Sequence, residues 1–137
     1  MSTLTHAHYV RRLPLLCLKS GGAGLPRNPQ DRDLILTSVL ATLPRDREIS
    51  HQDLDEALER WLETVGRELE TDYVAIRRAL VDFKFLVRPA DGLTYRRAER
   101  LPVEVEAAVW DADPAALVRD AERERAARRA KYVGGGA

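Results

Sequence analysis

The chain has 137 residues, 45% apolar and 32% charged, with lysine plus arginine equal in number to aspartate plus glutamate. That length and balance fit one domain around one core and exclude a disordered or collagen-like chain. No apolar run approaches the ~20 residues a membrane-spanning helix needs, so no membrane partner is expected, and a lone cysteine cannot form an internal disulfide, so a reducing cytoplasm is expected.

Residues 1–24 read as an arm that closes on Ser20-Gly21-Gly22-Ala23-Gly24, a flexible breaker. Within it, Tyr9 to Leu18 is expected as a strand or a loose arm. The first clear helix starts at Asn28: asparagine caps well, Pro29 suits the first helical position, and Asp31 and Asp33 favour the positive end of the helix. Leu34, Ile35, Val39, Leu40 and Leu43 supply its core face, and Pro44 ends it. After a turn at Arg45–Ile49, with at most one strand residue, Ser50 caps a second helix. There Leu54, Leu58, Trp61, Leu62 and Val65 form one apolar stripe, opposite Asp53, Asp55, Glu56, Glu59 and Glu63, and Gly66 is a natural stop. Asp72 is expected to cap a third helix with Ile76, Leu80 and Phe83 inward. The period then changes: Phe85–Arg88 and Leu93–Arg96 read as two strands around the turn Pro89-Ala90-Asp91-Gly92. Pro102 marks a boundary. Asp113 and Pro114 open a last helix to about Tyr132, and residues 134–137 read as a tail.

The zero net charge hides a gradient. Residues 46–71 carry nine acidic and three basic groups, whereas residues 72–100 carry seven basic and four acidic. Arg77, Arg78, Lys84, Arg88, Arg96 and Arg97, with Arg100, are therefore the candidate phosphate contacts of a helix-plus-wing footprint. The competing reading is that the arginines form ion pairs with Asp82 or with the acidic second helix. His6, His8, Cys17 and His51 match no zinc spacing, so no metal or cofactor is expected; Cys17, in an apolar run, reads as a buried thiol. No nucleophile, base and orienter can be assembled, so no enzyme is expected.

The run Asp72-Tyr73-Val74-Ala75-Ile76-Arg77-Arg78-Ala79-Leu80-Val81-Asp82-Phe83, followed by Phe85-Leu86-Val87-Arg88, Asp91-Gly92 and Tyr95, resembles the bacterial domain-of-unknown-function family 2087. Leu25-Pro26-Arg27-Asn28-Pro29 with Arg32 resembles that family's entry, so the resemblance covers about residues 25–97. The chain departs from the family pattern at Ile49, at Asp53-Leu54-Asp55 and at Tyr73. The resemblance implies a regulatory context beside helix-turn-helix proteins and implies no chemistry.

The expected architecture is α+β and mostly α. It comprises an arm (1–24), a winged-helix-like helical core with a small β-hairpin wing (25–100), an added C-terminal linker and helix (101–133) and a tail (134–137). The expected function is a DNA-binding or transcription-regulator-associated module. The alternative is a protein-interaction or dimerisation module, with a partner or a second copy held through the 113–132 helix.

Overall fold

The computed structural model describes residues 3–19 and 24–135. The Ser20–Ala23 part of the expected linker, and the last two residues of the expected tail, lie outside the described residues. The chain runs β1 (Thr3–Leu4), α1 (His6–Cys17), α2 (Pro29–Leu40), β2 (Ile49–Ser50), α3 (His51–Thr64), α4 (Tyr73–Asp82), β3 (Leu86–Val87), β4 (Thr94–Arg97), β5 (Glu104–Val105), α5 (Ala107–Asp111) and α6 (Pro114–Gly135). The architecture is α+β and mostly helical.

The first correction lies at the start. Tyr9 to Leu18 is neither strand nor arm but most of α1, whose Tyr9, Leu13 and Cys17 are fully buried. Those three recur every fourth residue, the spacing of one helical face. Thr5 caps the helix, its hydroxyl accepting from the His8 amide at 3.2 Å. Pro14 sits inside the helix, where a missing N–H ordinarily breaks the ladder; its carbonyl still accepts from the Leu18 amide at 2.9 Å. α1 packs on α2, α5 and α6. The parallel pair β1–β5 joins residues 3–4 to residues 104–105, across the whole chain.

α2 is the central helix. Asn28 caps it, accepting from the Asp31 amide at 3.0 Å, with Pro29 at its first position. Leu34 through Leu40 are all buried, as befits a helix surrounded on every side. Two hydroxyls within that run are satisfied locally. Thr37 donates to the Asp33 carbonyl at 2.7 Å and Ser38 to the Ile35 carbonyl at 2.6 Å.

Ser50 caps α3, accepting from the Asp53 amide at 3.1 Å. Leu54, Leu58, Trp61 and Val65 are buried along its inner stripe, and Ala57 joins them. The Trp61 indole donates to the Ser38 hydroxyl at 3.2 Å, so this ring keys α3 to α2. Gly66 follows because no side chain fits there. A Cβ at that position would stand 2.3 Å from the Trp61 ring.

Asp72 caps α4, accepting from the Ala75 amide at 2.8 Å, and Ile76 and Leu80 are fully buried. Phe83 corrects the expected stripe: the helix ends at Asp82, Lys84 takes a left-handed φ of 70°, and Phe85 enters the core instead. Phe83 stays partly exposed, with the Arg32 guanidinium 3.7 Å over its ring. The hairpin forms at the expected turn. Gly92 has φ 68° and the Asp91 carboxylate accepts from the Leu93 amide at 3.0 Å. β4 pairs antiparallel with both β3 and β2, giving a sheet of order β2-β4-β3. The second pairing recruits Ile49 and Ser50, more strand than the sequence suggested.

α5 was not foreseen. α6 is capped by Asp113, which accepts from the Ala115 amide at 3.0 Å, and continues through two residues expected as tail, Gly134 and Gly135. Val118 is buried on its inner side. None of the described helices is long and apolar enough to cross a membrane.

Candidate nucleic-acid interface

The six basic residues singled out by the sequence divide into two groups. Arg77 and Arg97 are consumed by the fold. Arg78, Lys84, Arg88 and Arg96 are exposed.

Arg77 leaves α4 toward α3 and pairs with the Asp55 carboxylate, both side chains being about four-fifths covered, at 20% and 22% exposure. The same carboxylate lies 3.4 Å from the His51 Nε2, and His51 Nδ1 lies 3.2 Å from the Tyr95 hydroxyl. A polar chain thus runs from β4 through α3 to α4. It links α4 to the hairpin through α3, with His51 and Asp55 each meeting two partners. Asp55, counted on the acidic outer face of the second helix, supplies the ion pair that the competing reading expected between that helix and the arginines.

Arg97 belongs to the inner face of β4 with Tyr95. One terminal amino group donates to the Leu40 carbonyl at 2.9 Å, closing the C-terminal end of α2. The guanidinium stacks over Trp110 of α5 at 4.4 Å, and Arg45 reaches the same ring at 5.9 Å. Burial first, and the neighbouring Arg45 charge second, pull the Arg97 guanidinium below its ordinary pKa, against the opposing pull of Asp46. Its Nε is buried and without a hydrogen-bond partner among the described residues.

The exposed group surrounds α4 and the hairpin. Arg78 is on the outer face of α4 with Val74, Ala75 and Asp82. Lys84 sits on the turn that follows, in the left-handed conformation. Arg96 points outward from β4 beside its cross-strand partner Val87. Arg88 stays near the hairpin tip, donating to the Gly92 carbonyl at 3.2 Å and lying 5.5 Å over the Tyr95 ring. Leu93 at the tip is 70% exposed. Arg100 is exposed beyond β4.

The remaining candidates have ordinary places. Cys17 is fully buried and its thiol is pushed up to about 12 by desolvation. His6 and His8 are on the first turn of α1, remote in sequence from His51 on α3. Among the described residues, no three His, Cys, Asp or Glu side chains converge on a point that could hold a metal.

Residues 23–97 match the model of the domain-of-unknown-function family 2087, described as an uncharacterized protein conserved in bacteria, and the chain belongs to that family. The match takes in α2 through β4, with both faces of the α4–hairpin unit. No curated protein and no solved structure matches the chain.

Proposed function

We propose that this member of the family is a DNA-binding, regulator-associated module, with residues 28–97 acting as a winged helix. The observation that carries the reading is the order of elements. A helix, a short strand, two helices and a hairpin follow one another as α2-β2-α3-α4-β3-β4, and the first strand pairs with the last to give β2-β4-β3. In helix-turn-helix proteins the second helix of the pair enters the major groove and its N-terminal residues meet base edges. α4 holds that position, offering Val74, Ala75 and Arg78 outward. The hairpin then serves as the wing, with Arg88 and Leu93 at its tip and Arg96 and Lys84 toward the phosphates.

The polar link between α4 and the hairpin favours this reading, since a recognition helix and its wing act together. Fold alone does not decide function, because the same fold can serve protein contacts. The test is fluorescence anisotropy with a labelled generic duplex at low salt. Micromolar binding is expected, lowered about tenfold by replacing Arg78 and Arg88 with alanine, since each phosphate contact contributes on the order of a few tenths to 1 kcal/mol. Retained affinity in that variant, or no binding at all, would remove the reading. A protein-interaction module would then lead, on the strength of the acidic outer face of α3.

A further inference from the structure

We propose that the chain self-associates by laying the basic C-terminal half of α6 along the acidic outer ridge of α3 in a second copy. The inference does not rest on DNA binding.

The ridge is made by Asp53, Glu56, Glu59 and Glu63, all exposed, three or four residues apart and opposite the buried Leu54–Leu58–Trp61 stripe. At 1.5 Å rise per residue it is about 15 Å long. Among the described residues none of these four carboxylates takes part in an ion pair; Glu56 accepts only from Gln52, at 3.4 Å. Arg60 interrupts the ridge without reversing its sign.

The basic surface is the free end of α6. Among the described residues the last hydrogen bond from α6 to the body is made by Arg125, which donates to the Leu18 carbonyl at 3.2 Å, and beyond it Arg128 and Arg129 border a groove with Leu18 and Glu68. From Ala126 to Tyr132 every residue is exposed, and Tyr132 is 85% so. Arg128, Arg129 and Lys131 lie in this stretch, and the last carboxylate side chain of the sequence is Glu124, 3.6 Å from Arg128. This half-helix has no apolar face of its own to bury, so its charges are what it has to offer.

Among the described residues no ridge carboxylate pairs with the basic end of α6 within one copy, although Glu63 at the far end of the ridge borders Arg119 and Arg123. The first half of α6 lies beside the far end of α3, where Arg67 pairs with Glu122, and the helix then runs on past Leu18. Between two copies they are complementary in sign, the cations of the tail spanning about 5 Å of helix against about 15 Å for the ridge. A two-fold axis makes both contacts at once, the self-complementary arrangement usual in homodimers. The ridge also argues for a protein partner, since it repels phosphate.

Light scattering on the full chain tests this. Twice the chain mass is expected at about 0.05 M salt, falling toward the single-chain mass at about 1 M, where the screening length drops to about 3 Å. Arg128→Glu with Arg129→Glu should weaken association about tenfold or more, and Glu56→Arg with Glu59→Arg should do the same. Mixing the two variants should restore a dimer, because each reversed tail then meets a reversed ridge. Thermal unfolding of each variant, expected unchanged at these exposed sites, shows that folding is intact. A single-chain mass at every salt concentration, dimers indifferent to both reversals, or no recovery on mixing would overturn the proposal. If the parent chain keeps the single-chain mass at every salt concentration and the tail variant loses affinity for duplex DNA, the tail is a nucleic-acid arm and self-association is wrong.

Discussion

Replacing Gly66 by alanine isolates the tightest approach in the core. The backbone there is not left-handed, so alanine is conformationally allowed. On that ground alone the change would stabilise by about 0.4–1 kcal/mol, through a less flexible unfolded chain. The added methyl, however, would stand 2.3, 2.9 and 3.0 Å from three carbons of the Trp61 ring. Carbon atoms pack at about 3.5–4.0 Å, so the ring or the turn must move by roughly 1 Å. Trp61 is held in place: it is 2% exposed and its indole is tied to Ser38, which is tied to Ile35. Overpacking of this kind costs about 1–3 kcal/mol, which exceeds the entropic gain. A net loss of about 1–2 kcal/mol is expected, read as a fall in the denaturant midpoint with an unchanged slope. Trp61→Leu, which removes the ring, should cancel the cost of the alanine in a double-mutant cycle. A Gly66→Ala protein as stable as the parent, or an additive cycle, would refute the packing argument.

Leu13→Ala should cost about 2–5 kcal/mol by urea unfolding, because α1 is part of the core; a surface-like loss under 0.5 kcal/mol would return it to an arm. Arg97→Ala should destabilise, by uncapping α2 and uncovering Trp110, whereas Arg96→Ala should leave the melting temperature unchanged and remove one phosphate contact from any DNA complex. Cys17 should resist alkylation at pH 8 until the chain unfolds, since its thiol is pushed up to about 12. The linked pH effect follows from the sign: between the ordinary value of 9.0 and about 12 the unfolded chain has lost a proton that the folded chain keeps. Stability should therefore fall as pH rises through that window, and Cys17→Ala should flatten the slope, leaving the similar contribution of buried Tyr9 at higher pH.

Much of the fold was legible where chemistry is local. Asn28-Pro29, Ser50, Asp72 and Asp91-Gly92 each act within three residues of themselves, and each cap or turn formed where the sequence put it. Elements that depend on distant partners were not. β5 exists because Thr3 and Leu4 lie beside it, and α1 was obscured by Pro14, although Tyr9, Leu13 and Cys17 carried a helical period that could have exposed it. Phe83 continued the α4 stripe in sequence, but the turn at Lys84 took it off the helix. The site was legible in part: pairing of the arginines with the acidic second helix was one of the two readings, and Arg77 makes that pair with Asp55. The partners of Arg77 and Arg97 are Asp55 and the Leu40 carbonyl, far off in sequence, and charge counting cannot tell a paired arginine from a free one.

The central claim, that α4 and the hairpin form a DNA-binding face, is tested most directly by duplex binding as a function of salt. With Arg78, Lys84, Arg88 and Arg96 as the contacts, log affinity should fall against log salt with a slope near −3.6, and Arg96→Ala should reduce it by about one unit. Arg97→Ala should leave the slope where it was. Absence of binding at low salt, or a slope that responds to Arg97 and ignores Arg96, would contradict the account.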